Sequence, residues 1–311
     1  MQLHAPIRHA LIGIAAAAAT LLPLHAWSQA GDLDPAQPGR IRAQKSDEAL
    51  KLLSKDYKFT KDGTFTVGIA LGRLPLGSFA NDNKTFVGNE PDIALLVADS
   101  LGRKLELVPV AWADWPLGLQ SGKFDAVVSN VTVTEARKEK FDFSTYRNDT
   151  LGIYVKSDSK VASVKEPKDV AGLRVIVGAS TNQEQILLRW NQQNVAAGLK
   201  PVEIQYYDDD VVQRLAIQSN RADAYLGPNA LAAYEARDGK TRLAGTFSGG
   251  WPLSAEIAVT TRKGSGLADA VTAALNEQIR NGNYTKALAR WNLGSEAIDK
   301  SRTNPPGLPK S

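Results

Sequence analysis

All three histidines, His4, His9 and His25, lie within the first thirty positions, and the chain has no cysteine. A chain released from that leader therefore lacks Ser-His-Asp and Cys-His nucleophilic machinery, histidine general bases, and zinc sites built from imidazole or thiolate. Carboxylates, lysines, tyrosines, hydroxyls and guanidinium groups remain, and few hydrolases work with that set. No cofactor and no metal is expected.

Two local patterns suit an anion. Arg137 stands in the charge run 135–140. Its guanidinium offers a planar two-donor fork that matches a carboxylate taken out of water, although composition alone favours a solvated charge. Thr181-Asn-Gln-Glu184 has capping-box spacing, with threonine as N-cap and glutamate at the third helical position. Free amides and the positive dipole end at such a terminus suit an anionic group, yet every helix needs a cap.

The leader explains where the histidines went. Arg8 is its only formal charge, an apolar run over 10–24 follows, and Ser28-Gln29-Ala30 offers small residues at the cleavage positions. The run is shorter than the ~20 residues that span a bilayer. Residues 1–30 are thus expected to be a signal peptide cleaved near Ala30, with the product free in the periplasm. With no cysteine there is no lipid anchor and no disulfide. Losing Arg8 from 37 basic residues leaves 36 against 33 acidic ones, a net charge of +3 with both signs interspersed. No basic stripe carries interleaved aromatics, so nucleic acid is not an expected partner.

The remaining pattern alternates strands and helices, which argues for an α/β protein. Residues 31–62 read as a polar N-terminal extension interrupted by a short helix over 48–53. Strands are predicted over 65–70 and 105–110. A helix over 92–101 has Pro91 in its first turn and Gly102 to end it. Pro305, Pro306 and Pro309 mark 301–311 as a frayed tail.

A near-repeat is the most informative internal feature. Leu117-Gly-Leu-Gln-Ser-Gly-Lys-Phe-Asp-Ala-Val-Val-Ser129 matches Leu215-Ala-Ile-Gln-Ser-Asn-Arg-Ala-Asp-Ala-Tyr-Leu-Gly227 in pattern. Each reads as a helix end, a Gly or Asn turn, a basic residue, Asp-Ala and a buried strand. One such unit in each half predicts two similarly built α/β lobes. Ligands of open α/β sheets bind beyond the carboxyl ends of strands, so Asn130-Val131-Thr132 and Pro228-Asn229 are expected to face each other across a cleft.

In order along 63–294, these residues resemble the bacterial extracellular solute-binding proteins of family 3, the amino-acid type. The resemblance is carried by Val87-Gly-Asn-Glu-Pro-Asp-Ile93, Leu119-Gln-Ser-Gly-Lys-Phe-Asp-Ala126, Thr132-Val-Thr-Glu-Ala-Arg137 with Phe141-Asp-Phe-Ser144, and Gly282-Asn-Tyr284 with Ala289-Arg-Trp291. It implies a type II periplasmic binding fold: two lobes, each a central β-sheet flanked by helices, joined by a two-strand hinge. On this reading 63–150 and 252–300 form lobe 1 and 151–251 form lobe 2. The implied function is a monomeric receptor that delivers a small carboxylate-bearing solute, an amino acid or analogue, to an inner-membrane ABC permease.

The resemblance also assigns roles. Arg137 holds the ligand carboxylate. Thr132 and the backbone of Asn130 add hydroxyl and main-chain contacts, Trp112 covers the ligand's apolar part or its ammonium, and Thr181 or Asn182 contributes from lobe 2. Core packing stands as the alternative for Trp112, and more so for Trp115. Two departures matter. Pro228, with Asn229 beside it, occupies the position where the family has the acid for the α-ammonium, so Glu184, Glu256 or a ligand lacking a normal ammonium would have to compensate. Arg73 replaces the usual residues after the first strand and would add positive charge to the cleft; an exposed arginine is the equal alternative. A periplasmic dehydratase-like enzyme on the same fold is the second reading, and it needs a cleft acid of raised pKa. A signalling sensor lobe is a third, without the membrane helix and output domain that it requires.

Overall fold

The computed structural model describes residues 33–310 apart from Arg73 and Asp208. The signal-peptide and Arg73 readings therefore lie outside the described residues. Short 3-10 turns aside, the chain runs α1 (Asp47–Leu52), β1 (Thr64–Ile69), β2 (Ser78–Phe79), β3 (Phe86–Val87), α2 (Asn89–Ser100), β4 (Lys104–Pro109), α3 (Trp115–Gln120), β5 (Ala126–Thr132), α4 (Glu135–Lys138) and β6 (Phe141–Asn148). It continues with β7 (Thr150–Lys156), β8 (Arg174–Val177), α5 (Asn182–Ala196), β9 (Glu203–Gln205), α6 (Asp210–Gln218), β10 (Ala224–Pro228), α7 (Asn229–Glu235) and β11 (Thr241–Ser248). Last come β12 (Glu256–Arg262), α8 (Ala268–Arg280) and α9 (Asn283–Arg290).

Two five-stranded sheets have matching plans, β4-β1-β5-β12-β6 and β9-β8-β10-β7-β11. In each, three parallel strands are extended on one side by two more, each joined through an antiparallel pairing. The chain leaves the first sheet between β6 and β7 at Asp149 and returns between β11 and β12. The two crossings pair with each other, since Asp149 N donates to Ala255 O at 2.9 Å and Gly249 N to Asp149 O at 2.8 Å. Each sheet has its own core. Phe65, Val67, Ile93, Val128 and Val259 belong to the first, and Ile153, Val175, Leu187, Trp190 and Leu226 to the second.

The internal repeat has a stereochemical cause. Asp125 and Asp223 each bridge to the neighbouring parallel strand in the same way: the aspartate amide donates to Thr66 O or Arg174 O, both at 2.8 Å. Its carboxylate accepts from the amide of that same residue, again at 2.8 Å in both sheets. The preceding turns need a left-handed residue, Gly122 at φ 78° and Asn220 at φ 55°, which glycine and asparagine adopt most readily. The shared residues therefore fix the entry of β5 and β10 into their sheets.

α2 starts three residues before the predicted boundary. Gly88 at φ 128° is its N-cap, and a Cβ there would stand 2.3 Å from Leu76 O. The first-turn amides of Asn89 and Glu90 find carbonyls on Pro75 and Leu76, so the helix does not need to wait for Pro91. Residues near the end of α9 hold this helix in place. Trp291 Nε1 donates to Asp92 at 2.8 Å, and Arg290 and Arg40 pair with the same carboxylate. Tyr284 Oη donates to Tyr146 O at 2.8 Å.

The tail corrects the sequence reading. Residues 302–308 do not fray but run along β6 and the end of β5. Asn304 N donates to Phe143 O at 2.9 Å, Thr145 N to Arg302 O at 3.1 Å and Leu308 N to Val133 O at 3.0 Å. Prolines lack a donor, yet Pro305, Pro306 and Pro309 flank the residues whose amides and carbonyls make these bonds.

Candidate ligand-binding site

β5 ends at the seam between the two sheets, and its last residues carry the candidate side chains. Asn130 sits at φ 52° beside a register shift between β5 and β12; such bulges re-aim side chains near functional sites. Its Oδ1 accepts from Arg147 Nη2 at 2.5 Å. Thr132 is buried, and its hydroxyl lies 2.8 Å from Asp149 Oδ2 and 3.0 Å from Asn182 Oδ1. A hydroxyl in the first sheet's lobe thus meets a side chain of the second.

Arg137 lies on α4, whose N-cap is Thr134. The half-buried guanidinium donates from Nη1 to Thr132 O at 2.9 Å and reaches Ser180 O at 3.5 Å. It stands 5.5 Å from the ring centroid of half-buried Trp112. Burial pulls its pKa down to about 10, against the attraction of Asp149, and the group stays cationic at neutral pH. Trp115 is core, packed on Phe141 with ring centroids 5.0 Å apart.

From the second lobe, α5 begins at the same seam. Thr181 is its N-cap: Oγ1 accepts from Glu184 N at 3.2 Å and donates to Gly178 O at 2.6 Å. Glu184 completes a variant of the capping box by accepting from Ser180 N at 2.6 Å, one residue before the cap. Asn182 Nδ2 donates to Asp149 Oδ2 at 2.9 Å and to Gly249 O at 2.6 Å, gripping both crossings. A cavity of about 550 Å³ opens beside these groups. Arg137, Thr181, Asn182, Arg189, Trp251, Leu253, Leu308 and Lys310 are among its walls, and its charged side chains are all cationic.

Arg137, Thr132, Trp112, Thr181 and Asn182 therefore converge. Asn130 joins them through β5. Asn229 is engaged elsewhere: its Oδ1 accepts from Tyr154 Oη at 3.0 Å within the second lobe. Both suggested replacement acids have other partners. Glu184 also accepts from Tyr206 Oη at 2.7 Å, and Glu256 pairs with Arg302.

The acid at the seam is Asp149, which sequence reasoning missed. Only 4% of its surface is exposed. Burial raises its pKa, while Thr132, Arg147, Asn182 and Arg137 pull it back. Behind it lies a second unforeseen group. Arg147 is fully buried between Glu90, at 3.1 Å, and Glu296, and Glu90 also accepts from Tyr146 Oη. Burial raises the pKa of both glutamates, and Arg147 opposes it. Burial alone would lower the pKa of Arg147; the two acids outweigh that and hold it above its ordinary value. Such a cluster is costly to break, because losing one partner leaves the others as unpaired buried charge. Among the described residues no helix is long and apolar enough to cross a membrane.

Known proteins are similar to this chain in sequence and fold. The sequence profile of the bacterial extracellular solute-binding proteins, family 3, matches residues 65–294. The L-cystine-binding protein TcyJ of Escherichia coli (strain K12) is 32% identical over 236 residues, which cover 75% of this chain and 84% of that protein. The L-cystine-binding protein TcyA of Bacillus subtilis (strain 168) is 28% identical over 235 residues, or 74% and 82% of the two chains. Among solved structures, an ancestral arginine-binding protein bound to arginine superposes with a TM-score of 0.64 at 29% identity, covering 74% of this chain and 98% of that one. The ancestral amino acid-binding protein AncCDT-1, a precursor of cyclohexadienyl dehydratase, gives 0.63 at 27% identity, covering 74% and 95%. These relatives are named as binding proteins, not enzymes. The profile match spans most of the chain, and the chain belongs to the bacterial extracellular solute-binding proteins, family 3.

Proposed function

We propose that this solute-binding receptor captures, between its lobes, a small solute with one or two carboxylates and no net positive charge, and delivers it to an inner-membrane ABC permease. The supporting observation is the cavity beside Arg137, whose charged wall residues are Arg137, Arg189 and Lys310, with no acid among them. A cationic solute would meet like charge there and no acid in the wall to pair with. A carboxylate would find the guanidinium fork of Arg137 and the start of α5. Lobe 1 comprises 63–150 and 252–300, and lobe 2 comprises 151–251. Arg137 anchors the carboxylate, Thr132, Asn130, Thr181 and Asn182 supply polar contacts, and Trp112 covers the apolar part. The protein is secreted by cleavage near Ala30 and works as a periplasmic monomer.

The L-cystine named for two relatives, with its two carboxylates, fits this charge balance better than arginine does. A thermal-shift panel tests the reading. L-cystine, L-glutamate and N-acetyl amino acids should raise the melting temperature more than L-arginine or L-lysine. Selective stabilisation by L-arginine would overturn the charge assignment.

A further inference from the structure

The family match ends at residue 294, yet the chain returns to the seam after it. We infer that residues 302–310 are a working part of the binding site: they fix the helix that carries Arg137 and wall the cavity beside it. The inference rests on Arg137 as the proposed anchor and adds an element that the family match does not cover.

The segment holds the start of α4 from two directions. Glu135 N, the first amide of that helix, donates to Leu308 O at 2.8 Å. In return, Gly307 N donates to the Glu135 carboxylate at 2.7 Å, and Leu308 N to Val133 O at 3.0 Å. Thr134, the N-cap of α4, pairs with Leu308 as a parallel bridge. A four-residue helix has too few internal bonds to hold itself, so its orientation depends on such outside partners. Arg137 sits on this helix two residues after the amide that Leu308 accepts.

Close approach demands glycine at 307, where a Cβ would lie 2.8 Å from the Thr134 carbonyl carbon. The next side chain reaches the other lobe's connection. A Cβ on Gly250 would stand 2.3 Å from Leu308 Cδ2, so Leu308 packs on the second crossing. Leu308, Pro309 and Lys310 share the cavity wall with Arg137 and Thr181, and Lys310 is tied back to Glu139. The apolar side of a bound solute would lie against Leu308 and Leu253.

Gly307→Val tests this with two readouts on the full chain: hydrogen exchange and calorimetry with L-cystine. The added side chain should lift the segment off Thr134. Exchange at the Glu135 and Leu308 amides should then rise about tenfold or more, with β8 and α5 unchanged. Affinity for L-cystine should fall about tenfold. Leu308→Ala should weaken binding without that exchange change, and Leu308→Met should leave both readouts near wild type. Unchanged exchange at Glu135, or faster exchange spread evenly over both lobes, would overturn the inference. So would wild-type affinity in a Gly307→Val protein whose Glu135 amide is exposed. If the wild type does not bind L-cystine, L-cystine is not its solute, and the exchange result still decides whether the segment holds the Arg137 helix.

Discussion

Asp149 joins the two lobes through one oxygen: its Oδ2 lies 2.8 Å from the Thr132 hydroxyl and 2.9 Å from Asn182 Nδ2. Thr132 ends a strand of the first sheet and Asn182 opens a helix of the second, while Asp149 itself is the first crossing. The residue can therefore report on how the lobes sit relative to each other.

Burial makes a pH prediction for this acid. Its pKa is raised in the folded protein, so between the unfolded and folded values the native state binds the proton more readily. Its contribution to stability is fullest below the unfolded pKa and is lost as pH rises through the folded one. Asp149→Asn keeps an acceptor for Thr132 and removes the buried charge. The variant should melt higher than wild type at pH 8, and the gap should close toward pH 4. Thermal melts across that range check it. A variant less stable than wild type at pH 8 would mean that ionised Asp149 is a net stabilising partner of Arg137 and Arg147.

The buried Arg147 should tolerate no neutral replacement. Arg147→Met leaves Glu90 and Glu296 facing each other without their shared cation, which predicts a loss of ~3–5 kcal/mol by urea denaturation. The triple variant Arg147→Met, Glu90→Gln, Glu296→Gln should recover a large part of it. An additive loss across the three sites would show that they do not act as a charge cluster.

Two crossings between sheets predict hinge closure. X-ray scattering with a saturating ligand should give a smaller radius of gyration at constant, monomeric mass. Identical curves with and without a tightly bound solute would argue against closure.

The repeated Asp-Ala units were legible because the same residues recur in each half, although the strand residues they bridge to, Thr66 and Arg174, lie far off in sequence. The start of α5 was legible because Thr181 and Glu184 cap within four residues. Asp149 was not, because its meaning comes from partners at positions 132 and 182, which only the double crossing brings together. The role of Arg147 was not legible either, because Glu90 and Glu296, from two helical segments far apart in sequence, close around it only in the fold. The tail misled through composition. Its prolines suggest an unfixed chain, but Asn304 and Leu308 borrow free carbonyls on Phe143 and Val133, and no local pattern announces that.

The role of Arg137 is the central claim, and one calorimetric comparison tests it most directly. The titrant is whichever amino acid or analogue in the thermal-shift panel most stabilises the wild type. Arg137→Ala would leave its carboxylate unpaired in the seam, which typically costs ~3–5 kcal/mol, or at least two decades in affinity. The fold should survive, since among the described residues the guanidinium makes two hydrogen bonds to protein carbonyls, Thr132 O and Ser180 O. Loss of measurable heat is expected from a variant that still melts cooperatively within a few degrees of wild type. Unchanged affinity in such a folded variant would contradict it.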